Sequence, residues 1–222
     1  MVRLEAEAIR DRMLAASGTL SQTACGPPAA IKEDETGQVI VDGEQTRRSL
    51  YIRAQRSRPL AMLQAFDAPV METNCECRPV STVATQSLML MNGEFALHQA
   101  LKLAENAARE PFPLSADLLA NLPPPPVGST YGYAGLDASS GKIGSFPPLP
   151  HWIGQVVRAW ELALSRRPTD EEFRLAVEFL NRQLTYLHDH PNELPTGTPP
   201  ERQAMINLCQ ALMSSNEFLY ID

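Results

Sequence analysis

The sequence predicts a mainly α-helical fold: a helical bundle-like domain with a short strand or hairpin element and a long proline-rich loop. Three observations carry that expectation. Apolar residues recur at helical spacing over most of the chain. Two capping boxes, Thr169-Asp-Glu-Glu172 and Thr198-Pro-Pro-Glu201, mark helix starts in the last third. Nine of the 19 prolines, with five glycines, fall between Pro111 and Pro150, where extended or looped chain is expected.

Taken in order, residues 3–17 predict a helix with Leu4, Ala8, Ile9, Met13 and Ala16 on one side and Gly18 as its stop. Residues 26–43 hold a proline pair, a charged run and a glycine-bounded Gln-Val-Ile-Val, which allow at most a short strand or hairpin. Ser49 to Ile52 is the best strand candidate in the chain. Pro59 then suits the first turn of a helix over residues 60–66, which Asp67-Ala-Pro69 ends, because the residue before a proline is pushed out of helical geometry.

A further helix is expected after Pro79, with Ser81 or Thr82 as N-cap, running to Met91. Asn92 is read as the N-cap of its continuation, which runs to about Arg109 and gives a kinked pair. Within residues 111–150 the helical pattern is confined to 115–122. Three helices close the chain, over 151–164, 169–188 and 198–215, and the apolar tail Phe218-Leu-Tyr-Ile221 is expected to pack against the body. The whole of residues 1–222 is read as one domain with 111–150 as an insertion.

The balance of 26 acidic against 19 basic residues, a net charge of −7, argues against an electrostatic hold on nucleic acid. No apolar run is long enough for a transmembrane helix, and the charged, amphipathic start does not read as a signal peptide. Four scattered cysteines do not make a disulfide scaffold.

No nucleophile elbow, phosphate-binding glycine loop or His-Glu-x-x-His occurs, and no Cys-x-x-Cys-His for covalent haem. Catalysis by this chain alone is not expected, and no cofactor is implied. Cys75-Glu-Cys77 offers two thiolates to a metal, but four ligands are needed for a zinc site, so a disulfide or two free thiols stand beside that reading. His188-Asp-His190 sits where a helix meets a proline, and residues two apart on a helix do not face each other. His98 and His151 read as helix-boundary residues.

What remains is a polar set: Arg47, Arg48, Arg53, Asp67, Arg78, Ser81, Thr82 and Gln86. Arginines among carboxylates bind anionic groups bidentately. They equally tie elements together as an internal ion-pair network, and both readings stand.

Several blocks of the chain resemble the DUF1553 family, also called the PSD1 domain, of planctomycetes. They are the N-terminal RLEAEAIRDRMLAASG, RRSLYIRAQR, AFDAP at 65–69, CECRPVSTVATQSLMLMN, LSRRPTDEE at 164–172 and the terminal LCQALMSSNEFLYID. The resemblance implies a domain of unknown function from the C-terminal part of large exported, extracytoplasmic proteins, in which it follows a DUF1549 domain and often a c-type cytochrome segment. On that reading the chain is expected to be a C-terminal fragment or split gene product. If the family pattern holds a site, it lies at Arg48, Asp67, Arg78, Ser81, Thr82, Gln86 and Asn92.

Three functions follow as expectations. The first is a non-catalytic helical module that packs on a partner such as a DUF1549-like domain, which requires an exposed apolar patch. The second is a domain that binds or degrades an anionic or sulfated polysaccharide, which requires a concave polar pocket lined by Arg48, Asp67 and Arg78. The third is an accessory to a c-type cytochrome redox system.

Overall fold

In the computed structural model the described residues are 2–43, 46–69, 78, 80–111 and 152–221. The expectations for 112–150, for Cys75 and Cys77, and for His151 lie outside them. The described elements are predominantly helical, with two short antiparallel strand pairs. They fall into two compact units, residues 1–102 with 212–222, and residues 103–211.

The first unit begins with β1 (Val2–Arg3), which pairs antiparallel with β4 (Tyr220–Ile221). Between them in sequence come α1 (Ala6–Ala16), the hairpin β2 (Ile31–Glu33) and β3 (Val39–Val41), α2 (Ala61–Ala65), α3 (Ala84–Asn92) and α4 (Glu94–Arg109). The hairpin agrees with the expectation for 26–43. Its turn is tied by Asp34, whose Oδ1 accepts from Thr36 N at 2.9 Å and Gln38 N at 2.8 Å.

Helix α1 packs on α2, and α2 also packs on α3 and β3. Burial along α1 falls on Ala6, Ile9, Arg10, Met13, Leu14 and Ala16, so Ile9, Met13 and Ala16 lie on the face expected of them. That stripe differs from the expected one: Ala8 is exposed and an arginine takes a place on the apolar face.

Three expectations in this unit are corrected. Ser49 to Ile52 is not a strand. Ser49–Tyr51 is a 3-10 turn, and Ile52 makes a single backbone bridge to Ala29. The cause is a competing acceptor: Ser49 N donates to Asp11 Oδ1 at 2.7 Å, so the ladder donor at the start of the run is already engaged.

The N-cap position of α3 belongs to Val83, not Ser81 or Thr82, and Gln86 Oε1 accepts from Val83 N at 3.4 Å. Ser81 is drawn away by Asp67, as described below. Asn92 is the last residue of α3 and does not restart the helix. Gly93 makes that junction alone: its N–H donates to Met89 O at 2.8 Å, closing α3, and its carbonyl accepts from Leu97 N at 3.0 Å, opening α4. A side chain there would place Cβ 2.4 Å from Met89 O, so the junction requires glycine.

The tail packs as expected, after a short helix α8 (Asn216–Leu219) capped by Ser215 Oγ, which accepts from Phe218 N at 3.3 Å. Phe218 and Leu219 are buried.

The second unit holds the part of α4 from Leu103 onward, α5 (Trp152–Leu164), α6 (Asp170–Asp189) and α7 (Pro200–Met213) as far as Ala211. Its core is Val156, Val157 and Trp160 from α5, Phe173, Val177, Leu180 and Leu184 from α6, and Met205 and Cys209 from α7. Burial pushes the Cys209 thiol pKa up, which keeps it an inert core residue. The capping box expected at Thr198-Pro-Pro-Glu201 does not form: α7 starts at Pro200, and the first helical acceptor is Pro199 O, to which Gln203 N donates at 3.1 Å.

The capping box on α6 forms as expected. Thr169 Oγ1 accepts from Glu172 N at 3.3 Å, and Glu172 Oε2 accepts from Thr169 N at 2.8 Å. Arg166 adds a bidentate pair to the same carboxylate, at 2.8 and 2.6 Å. These donors, Arg166 first, hold the Glu172 pKa down at about 2 from the usual 4.5.

A carboxylate with a lowered folded pKa contributes stability above its unfolded pKa and loses it as pH falls through the folded value. Wild type is therefore expected to be more stable than Glu172→Gln at neutral pH. The difference should shrink between pH 4.5 and 2; urea midpoints of the two proteins measured against pH check this.

Candidate functional site

The predicted polar residues gather around α1, on several clusters within the first unit. The largest is centred on Asp67, which ends α2 in the left-handed region at φ 61°, a conformation that aspartate tolerates better than most residues. That turn aims its carboxylate at two groups from distant parts of the chain. Arg3 Nη2 donates to Oδ2 at 2.8 Å, and Ser81 donates through N and Oγ, both at 2.8 Å. The guanidinium of Arg3 also donates to the carbonyls of Ser81 and Phe66, the latter at 3.2 Å, and lies over the Phe66 ring at 5.8 Å. Gln86, buried on α3, donates from Nε2 to Ser81 O at 3.1 Å.

Arg3 is 3 % exposed at its side chain, so its charge is compensated inside the protein and not by water. Its hydrogen bonds, followed by those from Ser81, hold the Asp67 pKa below the ordinary carboxylate range.

A second cluster sits one to two turns along α1. Asp11 accepts from Ser49 N at 2.7 Å, Ser49 Oγ at 2.8 Å and Arg48 Nε at 3.3 Å. Beside it Arg10, 1 % exposed, donates to Arg47 O at 2.8 Å and lies over the Phe95 ring at 5.0 Å. Burial lowers the Arg10 pKa to about 10, opposed by Asp11, so the guanidinium is charged at neutral pH. Arg47 reaches back to the carbonyls of Pro27 and Cys25 at 2.5 and 2.6 Å and stacks on Tyr51.

At the start of α1, Arg78 pairs with Glu7 at 2.8 Å and Glu5 at 3.1 Å. Together these contacts tie β1 to the segments around residues 67 and 81, and α1 to those around 48 and 78.

The structure thus brings Asp67, Ser81 and Gln86 together. Arg48 and Arg78 lie in separate clusters, and Thr82, before α3, and Asn92, its last residue, are exposed. A cavity of about 60 Å³ in this unit is lined by Arg10, Val41, Met62, Met89, Gly93 and Phe95 among others, and by none of Arg48, Asp67 or Arg78. Sequence reasoning missed Arg3, Arg10, Asp11 and Ser49. The signal for Arg10 was present: it falls three and four residues from Met13 and Ala6, on the stripe that Ile9 marks as apolar.

Among the described residues, no group of three or more His, Cys, Asp or Glu side chains is placed to hold a metal ion. His98 and His188 are exposed, and His190 stacks on Tyr186 with ring centroids 4.3 Å apart. No described helix is long and apolar enough to cross a membrane.

The family model PSD1, a protein of unknown function (DUF1553), matches residues 1–180. The chain belongs to the PSD1 family. The match contains every polar cluster just described and ends within α6, so the terminal block at 208–222 lies beyond it. No curated protein and no solved structure matches the chain. For this PSD1 chain, then, the site must be read from its own chemistry: buried cations facing fixed carboxylates and carbonyls, an arrangement that holds segments together.

Proposed function

We propose that this chain is a non-catalytic helical module that docks a partner protein domain through the outer face of α3. One observation carries the reading. Helix α3 buries Gln86 and Leu90 on its inner side, while the opposite side presents Ala84, Leu88 and Met91, preceded by Val80 and Val83. Leu88 is 55 % and Met91 60 % exposed. A helix apolar on both sides is suited to burial on both, and clustered exposed apolar residues mark interaction surfaces.

The polar candidates support the same reading. Arg48 meets Asp11, Arg78 meets Glu5 and Glu7, and Asp67 meets Arg3, so recruiting them to an anionic glycan would break internal pairs. The DUF1549-like domain implied by the resemblance is the partner to test first.

Calorimetric titration of the chain with a DUF1549-type domain from the same source checks this. Saturable binding is expected, weakened by about 2 kcal/mol or more in Leu88→Glu or Met91→Glu, with unfolding free energy unchanged within about 0.5 kcal/mol because both sites are exposed. Binding that survives both substitutions, or binding only to a sulfated polysaccharide with loss on Arg48→Ala, would sink the proposal.

A further inference from the structure

The second unit holds a cavity of about 340 Å³ between the C-terminal half of α6, the turn at 191–195 and the first turns of α7. It is lined by Gln183, Tyr186, Leu187, Glu193, Pro195, Gln203 and Asn207. It lies beyond residue 180, where the family match ends, and it shares no residue with the arginine clusters.

Three amides line it as a chain. Gln203 Nε2 donates to Asn207 Oδ1 at 2.9 Å, and Asn207 Nδ2 donates to Gln183 Oε1 at 2.8 Å. A head-to-tail chain of amides leaves a donor at one end, here Gln183 Nε2, and an acceptor at the other, Gln203 Oε1. Reversing all three amides exchanges the ends but keeps one donor and one acceptor.

Tyr186 is held beside this chain from two directions. Its hydroxyl donates to Glu193, 3.0 and 2.9 Å from the two carboxylate oxygens, and His190 stacks on its ring. The phenol and carboxylate are therefore placed before any ligand arrives, which lowers the ordering cost of binding.

We infer that this cavity binds a neutral sugar. The volume falls in the range of small-molecule sites, at the size of one or two sugar rings. A sugar hydroxyl both donates and accepts, so adjacent hydroxyls match the two ends of the amide chain, and the Glu193 carboxylate accepts from a third. Leu187 and Pro195 supply apolar contact for ring C–H groups. Among the described residues no lysine or arginine lines the cavity, so an anionic ligand would meet the Glu193 carboxylate with no described cation beside it.

The test uses the full chain in calorimetric titration and saturation-transfer NMR. The probes are D-glucose, D-galactose and N-acetyl-D-glucosamine, with D-glucuronate and adenosine as comparators. Short oligosaccharides of each sugar run in parallel, to tell a free sugar from the end of a glycan.

Saturable binding of at least one neutral sugar or its oligomer is expected, with D-glucuronate about tenfold weaker or more. Asn207→Leu, which breaks the amide chain, is expected to weaken binding about tenfold or more, and Leu175→Ala, an exposed α6 position outside the cavity, to leave it unchanged. Absence of saturation by every neutral sugar up to about 50 mM, equal binding in a folded Asn207→Leu, or binding of adenosine or D-glucuronate alone would overturn the assignment.

Discussion

Asp67→Ala is expected to lower the free energy of unfolding by about 3–4 kcal/mol. The larger part comes from stranding Arg3: a guanidinium 3 % exposed would lose the carboxylate 2.8 Å away while remaining inside the protein, and breaking such a pair costs about 3 kcal/mol or more. A smaller part comes from the backbone, because Asp67 has φ 61° and alanine is strained there by about 1 kcal/mol.

The two parts separate experimentally. Asp67→Gly relieves the backbone but still strands Arg3, and Asp67→Asn keeps both the backbone tolerance and a hydrogen-bond acceptor. Urea unfolding should rank the proteins wild type, Asn, Gly, Ala in falling stability. An alanine variant as stable as the asparagine variant would contradict this account of the turn.

Phe218→Ala is expected to cost about 3–5 kcal/mol, the range for emptying a fully buried aromatic site. Phe218 is fully buried, and three contacts at Phe218 and Leu219 anchor the C-terminal tail to the N-terminal segment. Arg12 lies 4.7 Å over the Phe218 ring, Arg12 Nη1 donates to the Phe218 carbonyl at 2.9 Å, and the Leu219 carbonyl accepts from Leu4 N at 2.8 Å. Losing the ring loosens the frame that holds β1 against β4. Chemical unfolding should therefore show the full loss, and amide exchange at Leu4 should accelerate. Ile221→Ala, at an exposed position of β4, should change stability by no more than about 0.5 kcal/mol.

How far the sequence revealed this architecture depended on how local each interaction is. The helices of the second unit were legible because a 3.6-residue apolar period and a Thr-x-x-Glu box are both written within a few residues. The break between α3 and α4 was legible from Asn92-Gly93, but the roles were exchanged: the deciding contact is the approach of Gly93 to Met89 O, which no propensity encodes. The strand expected at 49–52 failed because Asp11, 38 residues earlier, takes the Ser49 N–H. Strands β1 and β4 were invisible as a pair, since two residues from opposite ends of the chain carry no joint signal.

The site divides in the same way. Asp67, Ser81 and Gln86 stood out as polar residues beside apolar runs, and they do meet. Their cation was missed, because Arg3 sits in a charged N-terminal stretch that reads as solvated surface. Arg10 was legible in principle from its place on the apolar stripe of α1.

Arg3, Asp67 and Ser81 form a structural clasp between β1, the end of α2 and the segment before α3. A double-mutant cycle on Arg3→Met and Asp67→Ala, read by urea unfolding, tests it most directly. A coupling of about 2 kcal/mol or more is expected, with the double variant more stable than the sum of the single losses requires, because removing both charges leaves neither one stranded. Additive losses, or single variants as stable as wild type, would contradict it and return Asp67 to the list of groups free to serve a ligand.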